Sequence, residues 1–228
     1  MPPFRRILRT SVVKIDPAGL PFIALAAVPA AVSASLGSVG FTLGLLVLPA
    51  AVALFFRDPE RTVPQDQALV LSPADGRVVH AGLARAGEAP PGAWKQVTIF
   101  LSLLDVHINR TPVAGVVTKV DYQPGSFVPA YKPASHQNER TEIWLDHGGV
   151  PIVTRQVVGV LARRVVCRVR AGDRLEPGAR IGLMKFGSRM DVFVPLDAAL
   201  HVRVGDMVVG GVTVIATLTS PGSRVDKS

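Results

Sequence analysis

The sequence predicts a mainly β domain, barrel-like or a sandwich, preceded by an N-terminal hydrophobic helical hairpin. Three observations carry that expectation. Residues 17–56 contain no Asp, Glu, Lys or Arg, a stretch too long and too apolar for an ordinary surface helix. After Phe56, short β-like runs alternate with Gly and Pro punctuation. No long amphipathic helix follows that point.

The apolar stretch divides into two runs, 20–36 and 41–56, with Gly37, Ser38 and Gly40 between them as a turn. Each run is short of the roughly 20 residues a spanning helix needs, so the hairpin spans thinly or dips into one leaflet. Pro21, Pro29 and Pro49 bound or kink its helices, which membrane helices tolerate. The alternative is a buried hairpin in a soluble core. A cleaved signal peptide fits poorly, because there are two apolar runs and no convincing cleavage boundary. Arg5, Arg6, Arg9 and Lys14 precede the hairpin, and Arg57 and Arg61 follow it. Both basic ends belong on the cytoplasmic side, and the remaining domain with them.

The net charge is +8, yet the basic residues are scattered and aromatics are only 6%, so no stacking platform for nucleic acid is expected. An anionic membrane surface is the more economical partner for a chain with an apolar anchor. The lone Cys167 allows no intrachain disulfide, which suits a reducing compartment. HxxxH, CxxC and clustered carboxylates are absent, so no metal is expected.

Beyond the hairpin the pattern predicts strands at 96–103, 115–122, 142–146, 151–161, 164–170, 180–184, 191–194 and 212–217. Gly148-Gly149 and Gly210-Gly211 read as turn dipeptides. The organisation is therefore a basic N-terminus and hairpin over 1–56 and one β-rich domain over 57–228, with a polar, fraying end.

Four polar clusters stand out in the β domain: SPADGRV at 72–78, LDVHINRTP at 104–112, NER at 138–140 and MKFGSRMD at 184–191. They supply Asp75, His107 and Ser188, the parts of a base-activated nucleophile. Each also has a plainer reading: Asp75 as a turn residue before Gly76, His107 as a strand-end histidine, Gly187-Ser188 as a turn. A serine after glycine can attack the preceding carbonyl, since glycine leaves the approach open and tolerates a strained turn. Arg140 and Lys132 are candidates to hold an anionic group, because a guanidinium forks onto phosphate or carboxylate. Lys185 beside the serine suggests a rival, a biotinyl- or lipoyl-type carrier module. There Phe186 stands where biotinylation expects methionine, and SPADG and DVH would be idle. A noncatalytic membrane-surface protein would explain the hairpin and the charge, but none of the clusters.

FFRDPER at 55–61, SPADG, DVHINRTP, NER, ARRVVCRV at 162–169 and GLMKFGSRMD at 182–191 occur in an order that resembles the phosphatidylserine decarboxylase proenzymes of the short, membrane-associated type. The resemblance runs from Phe55 nearly to the end. It implies a pyruvoyl enzyme of phospholipid biosynthesis that turns phosphatidylserine into phosphatidylethanolamine. Ser188 would attack the Gly187 carbonyl to make an ester. Loss of the Ser188 α-proton and elimination would then split the chain into a β chain, 1–187, and an α chain, 188–228. The dehydroalanine left at 188 would hydrolyse, with loss of ammonia, to a pyruvoyl group. That ketone would take the substrate amine as a Schiff base and act as an electron sink, with His107 as the acid that reprotonates the carbanion.

One position departs from the longer relatives, which carry a second histidine where this chain has Arg110. The base for self-cleavage is then His107 itself or His136, which lies beside the NER cluster and is also a candidate substrate-binding residue with Arg140 and Lys132. The FGSR motif differs from the LGST form of the longer enzymes and suits the short type. The partners implied are the lipid substrate, a membrane surface and the two chains of one precursor, with a homodimer left open and archaetidylserine as an alternative substrate. The implied location is the cell membrane, with the catalytic domain on the cytoplasmic side.

Overall fold

The computed structural model describes residues 13–128, 137–159, 165–184 and 188–219. The chain divides into two compact units, with the boundary between Arg61 and Thr62.

In the first unit, β1 (Lys14–Ile15) pairs antiparallel with β2 (Arg57–Asp58), bringing together the two ends of a helical excursion. That excursion is a 3-10 turn (Pro17–Gly19), α1 (Leu20–Ser35), α2 (Val39–Leu45) and α3 (Val47–Phe55). Asp16 starts it by accepting the Ala18 N–H at 2.9 Å. The second predicted run forms two helices rather than one, parted at Leu46. Gly44 weakens this run, because glycine loses the most backbone freedom in a helix, and Gly40, expected in the turn, falls inside α2. Thr42 Oγ1 lies 2.9 Å from the Ser38 carbonyl and 3.1 Å from Ser33 Oγ, a polar link between α1 and α2. Pro17–Ser35 is long and apolar enough to cross a membrane, and only Gly19, Ala30 and Ser33 of it are buried within the structure. Leu20, Leu25, Val28 and Val32 are exposed, which is not how a soluble core helix disposes its leucines.

The second unit is mostly β. Its strands are β3 (Leu69–Leu71), β4 (Gly76–Leu83), β5 (Trp94–Leu101), β6 (Ile108–Arg110), β7 (Gly115–Gln123), β8 (Arg140–His147), β9 (Val150–Val157), β10 (Val165–Cys167), β11 (Arg174–Leu175), β12 (Arg180–Met184), β13 (Ser188–Pro195), β14 (Ala199–Leu200), β15 (Met207–Val208) and β16 (Val214–Thr217). Eight of them form one curled antiparallel sheet in the order β11-β7-β8-β9-β13-β5-β4-β15. Two three-stranded sheets, β10-β12-β6 and β14-β16-β3, accompany it.

The pleat sorts the large sheet into two faces. Val192 of β13 pairs with Val97 and Thr154, and Met190 pairs with Ile99 and Gln156, so these side chains share one face. That inner face holds the core, with Ile143, Leu145, Ile152, Met190, Val192 and Val194 all buried. The other face carries Glu142, Arg155, Asp191 and Arg189, together with a small apolar group of Trp94, Val153 and Phe193.

The mainly β class and the apolar helical N-terminus agree with the expectation from sequence. The strand predicted at 180–184 matches β12, and Gly148 and Gly149 take φ of 60° and 85° in the β8–β9 hairpin, a conformation that excludes most other residues. One long strand, β4, was not predicted. A bulge between Val78 and His80 breaks its alternation, and its two glycines dilute the apolar signal. The described part of the strand predicted at 151–161 ends at Val157, and that of 164–170 is Val165–Cys167.

Candidate active site

Ser188 is the first residue of β13, the strand held between β9 and β5 in the middle of the large sheet. It pairs with Leu101 and shares the inward phase of Met190 and Val192, so its hydroxyl points into the core side. The residue is 0% exposed, and its Oγ has no hydrogen-bond partner among the described residues. Three more buried polar atoms in this region share that condition: Asn109 Nδ2, Gln156 Oε1 and Thr154 Oγ1. Gln156 and Thr154 lie on the inner face of β9, and Gln156 Nε2 donates to Asn109 Oδ1 at 2.8 Å.

This amide pair ties the small sheet to the large one. Asn109 pairs with Gly182 across β6 and β12. A Cβ at Gly182 would lie 2.2 Å from the Val166 carbonyl and 2.8 Å from Gln156 Nε2, so only glycine fits there. Leaving a buried polar atom unbonded costs about 1–3 kcal/mol. Such atoms have hydrogen-bonding capacity that the described residues leave unused.

His107 stands just ahead of β6 and is 0% exposed. Its Nδ1 lies 2.8 Å from the Asp105 carbonyl. A carbonyl only accepts, so Nδ1 carries the proton and Nε2 is the basic nitrogen of the neutral ring. The Met184 N–H donates to the His107 carbonyl at 3.2 Å. Ser188 follows Met184 by four residues, a chain reach of at most roughly 14 Å. The histidine is thus tied to the end of β12, four residues before the serine.

Asp75 lies in the loop before β4 and accepts the Gly210 N–H at 2.7 Å. The same loop meets β6, since the Arg110 N–H donates to the Pro73 carbonyl at 2.8 Å. In a Ser-His-Asp relay the carboxylate holds Nδ1 of the imidazole. Here the Asp105 carbonyl has that place. Arg110, at the position of the second histidine of longer relatives, is buried and donates to the Gly178 carbonyl at 3.0 Å. A guanidinium has no lone pair to accept a proton, so Arg110 is not a base.

Arg140 is on the opposite face of the sheet from Ser188. Its register partners are Val157 and, one strand further, Arg189. Burial first, and then the neighbouring Arg155 guanidinium, lower its proton affinity, while Glu142 at 3.8 Å opposes them. Lys132, His136, Lys185 and Gly187 lie outside the described residues. Cys167 is half-buried in β10, and burial pushes its thiol up, which suits a small packing residue rather than a nucleophile.

Sequence reasoning missed Asn109 and Gln156. Their signal is a polar residue at the inward phase of a buried strand, as in Ile152, Thr154, Gln156. It also missed an ion ladder behind the serine. Arg155 Nε donates to Glu142 Oε1 at 3.0 Å, and Arg189 donates to Asp191 Oδ2 at 3.0 Å. Asp191 Oδ1 accepts from Thr98 Oγ1 at 2.9 Å, and Arg155 NH1 donates to the Glu88 carbonyl. The ladder crosses β8, β9, β13 and β5 and locks their register, and with it the position of Ser188. Removing one partner of a buried ion pair leaves an uncompensated charge. Arg155→Met is expected to lower the unfolding free energy by about 3–5 kcal/mol, read from urea unfolding. A loss below about 1 kcal/mol would mean that the ladder is solvated and contributes little.

A buried serine thus heads the central strand of the large sheet, and a buried histidine whose Nδ1–H is held by the Asp105 carbonyl precedes β6. The sequence model of the family described as phosphatidylserine decarboxylase matches residues 48–216. A phosphatidylserine decarboxylase proenzyme of Magnetococcus marinus is 42% identical over 203 residues, covering 88% of this chain and 93% of that protein. Proteins of the same name from Salinibacter ruber and Anaplasma phagocytophilum are 45% and 43% identical, over 76% and 89% of this chain and 78% and 90% of theirs. The chain belongs to the phosphatidylserine decarboxylase family.

Proposed function

We propose that this enzyme decarboxylates phosphatidylserine to phosphatidylethanolamine, using a pyruvoyl group that it makes from its own Ser188. The observation that carries the reading is the Ser188 hydroxyl. It is buried, unbonded among the described residues, and preceded in sequence by a glycine. Gln156, which pairs with Met190 one step along the inner face, and its partner Asn109 have hydrogen-bonding capacity to spare, which fits a site that must hold a polar prosthetic group and an anionic headgroup.

Ser188 Oγ attacks the carbonyl of Gly187, and the chain divides there into 1–187 and 188–228. A pyruvoyl ketone supplies an electron sink for the pair left when carbon dioxide departs. His107 offers Nε2 to accept or return a proton, because its Nδ1–H is committed to Asp105. Asp75 acts at one remove, pinning to Gly210 the loop that backs β6. The carrier alternative, with Lys185 as the modified residue, does not belong to this family.

Carbonyl chemistry tests this reading directly. Hydroxylamine consumes a ketone, so pretreatment is expected to abolish release of carbon dioxide from carboxyl-labelled phosphatidylserine. Undiminished release after full treatment would remove the pyruvoyl group from the mechanism.

The apolar hairpin holds the enzyme at the cytoplasmic face of the cell membrane, where substrate and product both reside. A held enzyme lifts only the headgroup and need not extract two acyl chains into water. Deleting residues 1–56 is expected to reduce turnover on bilayers more than on detergent-dispersed lipid. Equal loss in the two assays would count against the anchor.

A further inference from the structure

Resting on that function, we infer that the turn Ser102–Asp105 is a bilayer contact that seats the active-site end of the sheet on the lipid surface through Leu103 and Leu104. The turn follows β5, and Leu101, the last residue of β5, pairs with Ser188. Its two central residues are leucines, 52% and 76% exposed. An exposed leucine pair at a turn tip is unusual, since turns favour Gly, Pro, Asn, Asp and Ser.

The turn is tightly built. The Asp105 N–H donates to the Ser102 carbonyl at 3.1 Å, and Asp105 Oδ2 accepts from both the N–H and the hydroxyl of Ser102 at 2.7 Å. Hydrogen bonds at both ends hold the leucines outward. Asp105 also holds His107, through its carbonyl to Nδ1. One residue therefore closes the apolar tip and fixes the tautomer of the histidine.

Other apolar side chains share this end of the sheet. Tyr122 is in the register row of Thr141, Gln156, Met190 and Ile99, one step from Ser188. Phe127 follows the bridge of Ser126 with Asn138, and Asn138 Nδ2 donates to the Val158 carbonyl just past the end of β9. Tyr122 and Phe127 are both exposed. Exposed apolar residues at one end of a sheet mark an interaction surface. The occupant is a lipid bilayer rather than a protein groove, because the substrate of this reading is a membrane lipid whose headgroup must reach Ser188. Rigid apolar tips at a membrane interface gain by burying CH2 groups among acyl chains.

Two measurements on the full-length protein decide the matter. The first compares Leu103→Asn/Leu104→Asn with the parent, since asparagine keeps the turn and removes the apolar surface. Self-cleavage is expected to proceed, with turnover on phosphatidylserine vesicles falling about tenfold further than on the same lipid in detergent. Equal turnover on vesicles, or equal loss on both, overturns the inference. If the parent itself neither cleaves nor releases carbon dioxide, it is the functional reading that fails. The second measurement does not depend on activity. Leu104→Trp and Leu196→Trp proteins are placed in liposomes containing brominated phosphatidylcholine, position 196 following the far end of β13. Quenching of the added emission at 104, and not at 196, supports bilayer contact. Absence of quenching at 104 overturns it.

Discussion

Ser188→Ala is expected to remain a single chain of 24.1 kDa and to release no carbon dioxide from phosphatidylserine. The unsubstituted protein should yield two chains, 1–187 and 188–228, the smaller lighter by one ammonia than its serine-started form. Alanine has neither a hydroxyl to attack the Gly187 carbonyl nor a leaving group on Cβ to eliminate, so the loss should be complete. The fold gives the variant a second signature. The Ser188 hydroxyl is buried with no hydrogen bond among the described residues, so its removal relieves an unsatisfied group. The urea midpoint of Ser188→Ala should therefore equal or exceed that of the uncleaved parent. A variant that fails to cleave because it fails to fold would show the opposite. Intact mass and an unfolding curve on one sample separate the two, and a variant that still splits between 187 and 188 would end the assignment.

The same serine shows how far the sequence alone reaches. Its motif was legible because a Gly-Ser bond between two β-like runs is a local pattern; β12 ends at Met184 before it, while the strand expected from 191 begins at Ser188 itself. The β character was legible too, because short apolar runs such as 142–146 and 191–194 are bounded by polar and turn residues. Long-range contacts were not. Nothing local in DVHINRTP shows that Asp105, two residues before the histidine, holds its ring, or that Asp75 instead reaches Gly210. Arg140 looked like an anion ligand from its charge. Only the register with Val157 and Arg189 places it on the far face among carboxylates. The strand β4 escaped for a related reason, because a bulge shifts the phase and a period-2 pattern cannot follow the shift.

His107→Ala carries the second large expected effect, a fall in decarboxylation of about 10²–10⁴-fold, the usual weight of a positioned acid or base. The geometry says why an imidazole is needed at this point. Its Nδ1–H is spent on the Asp105 carbonyl, so the ring is oriented and its one basic nitrogen is Nε2. The ring is fully buried, and its loss leaves a cavity that costs stability, so activity must be compared at a temperature where both proteins are folded. Two clocks then separate the roles. Gel or mass analysis times the appearance of the 188–228 chain, and labelled carbon dioxide times turnover. Arg110 cannot accept a proton, so if His107 also serves the self-cleavage step, both clocks slow together. If the chain still divides at the parental rate while turnover collapses, the cleavage base lies elsewhere, with His136 the next residue to replace. Added imidazole should restore part of whichever rate depends on proton transfer, because the vacated cavity is the size of the ring it lost. Parental rates on both clocks, without rescue, would exclude His107 from the chemistry.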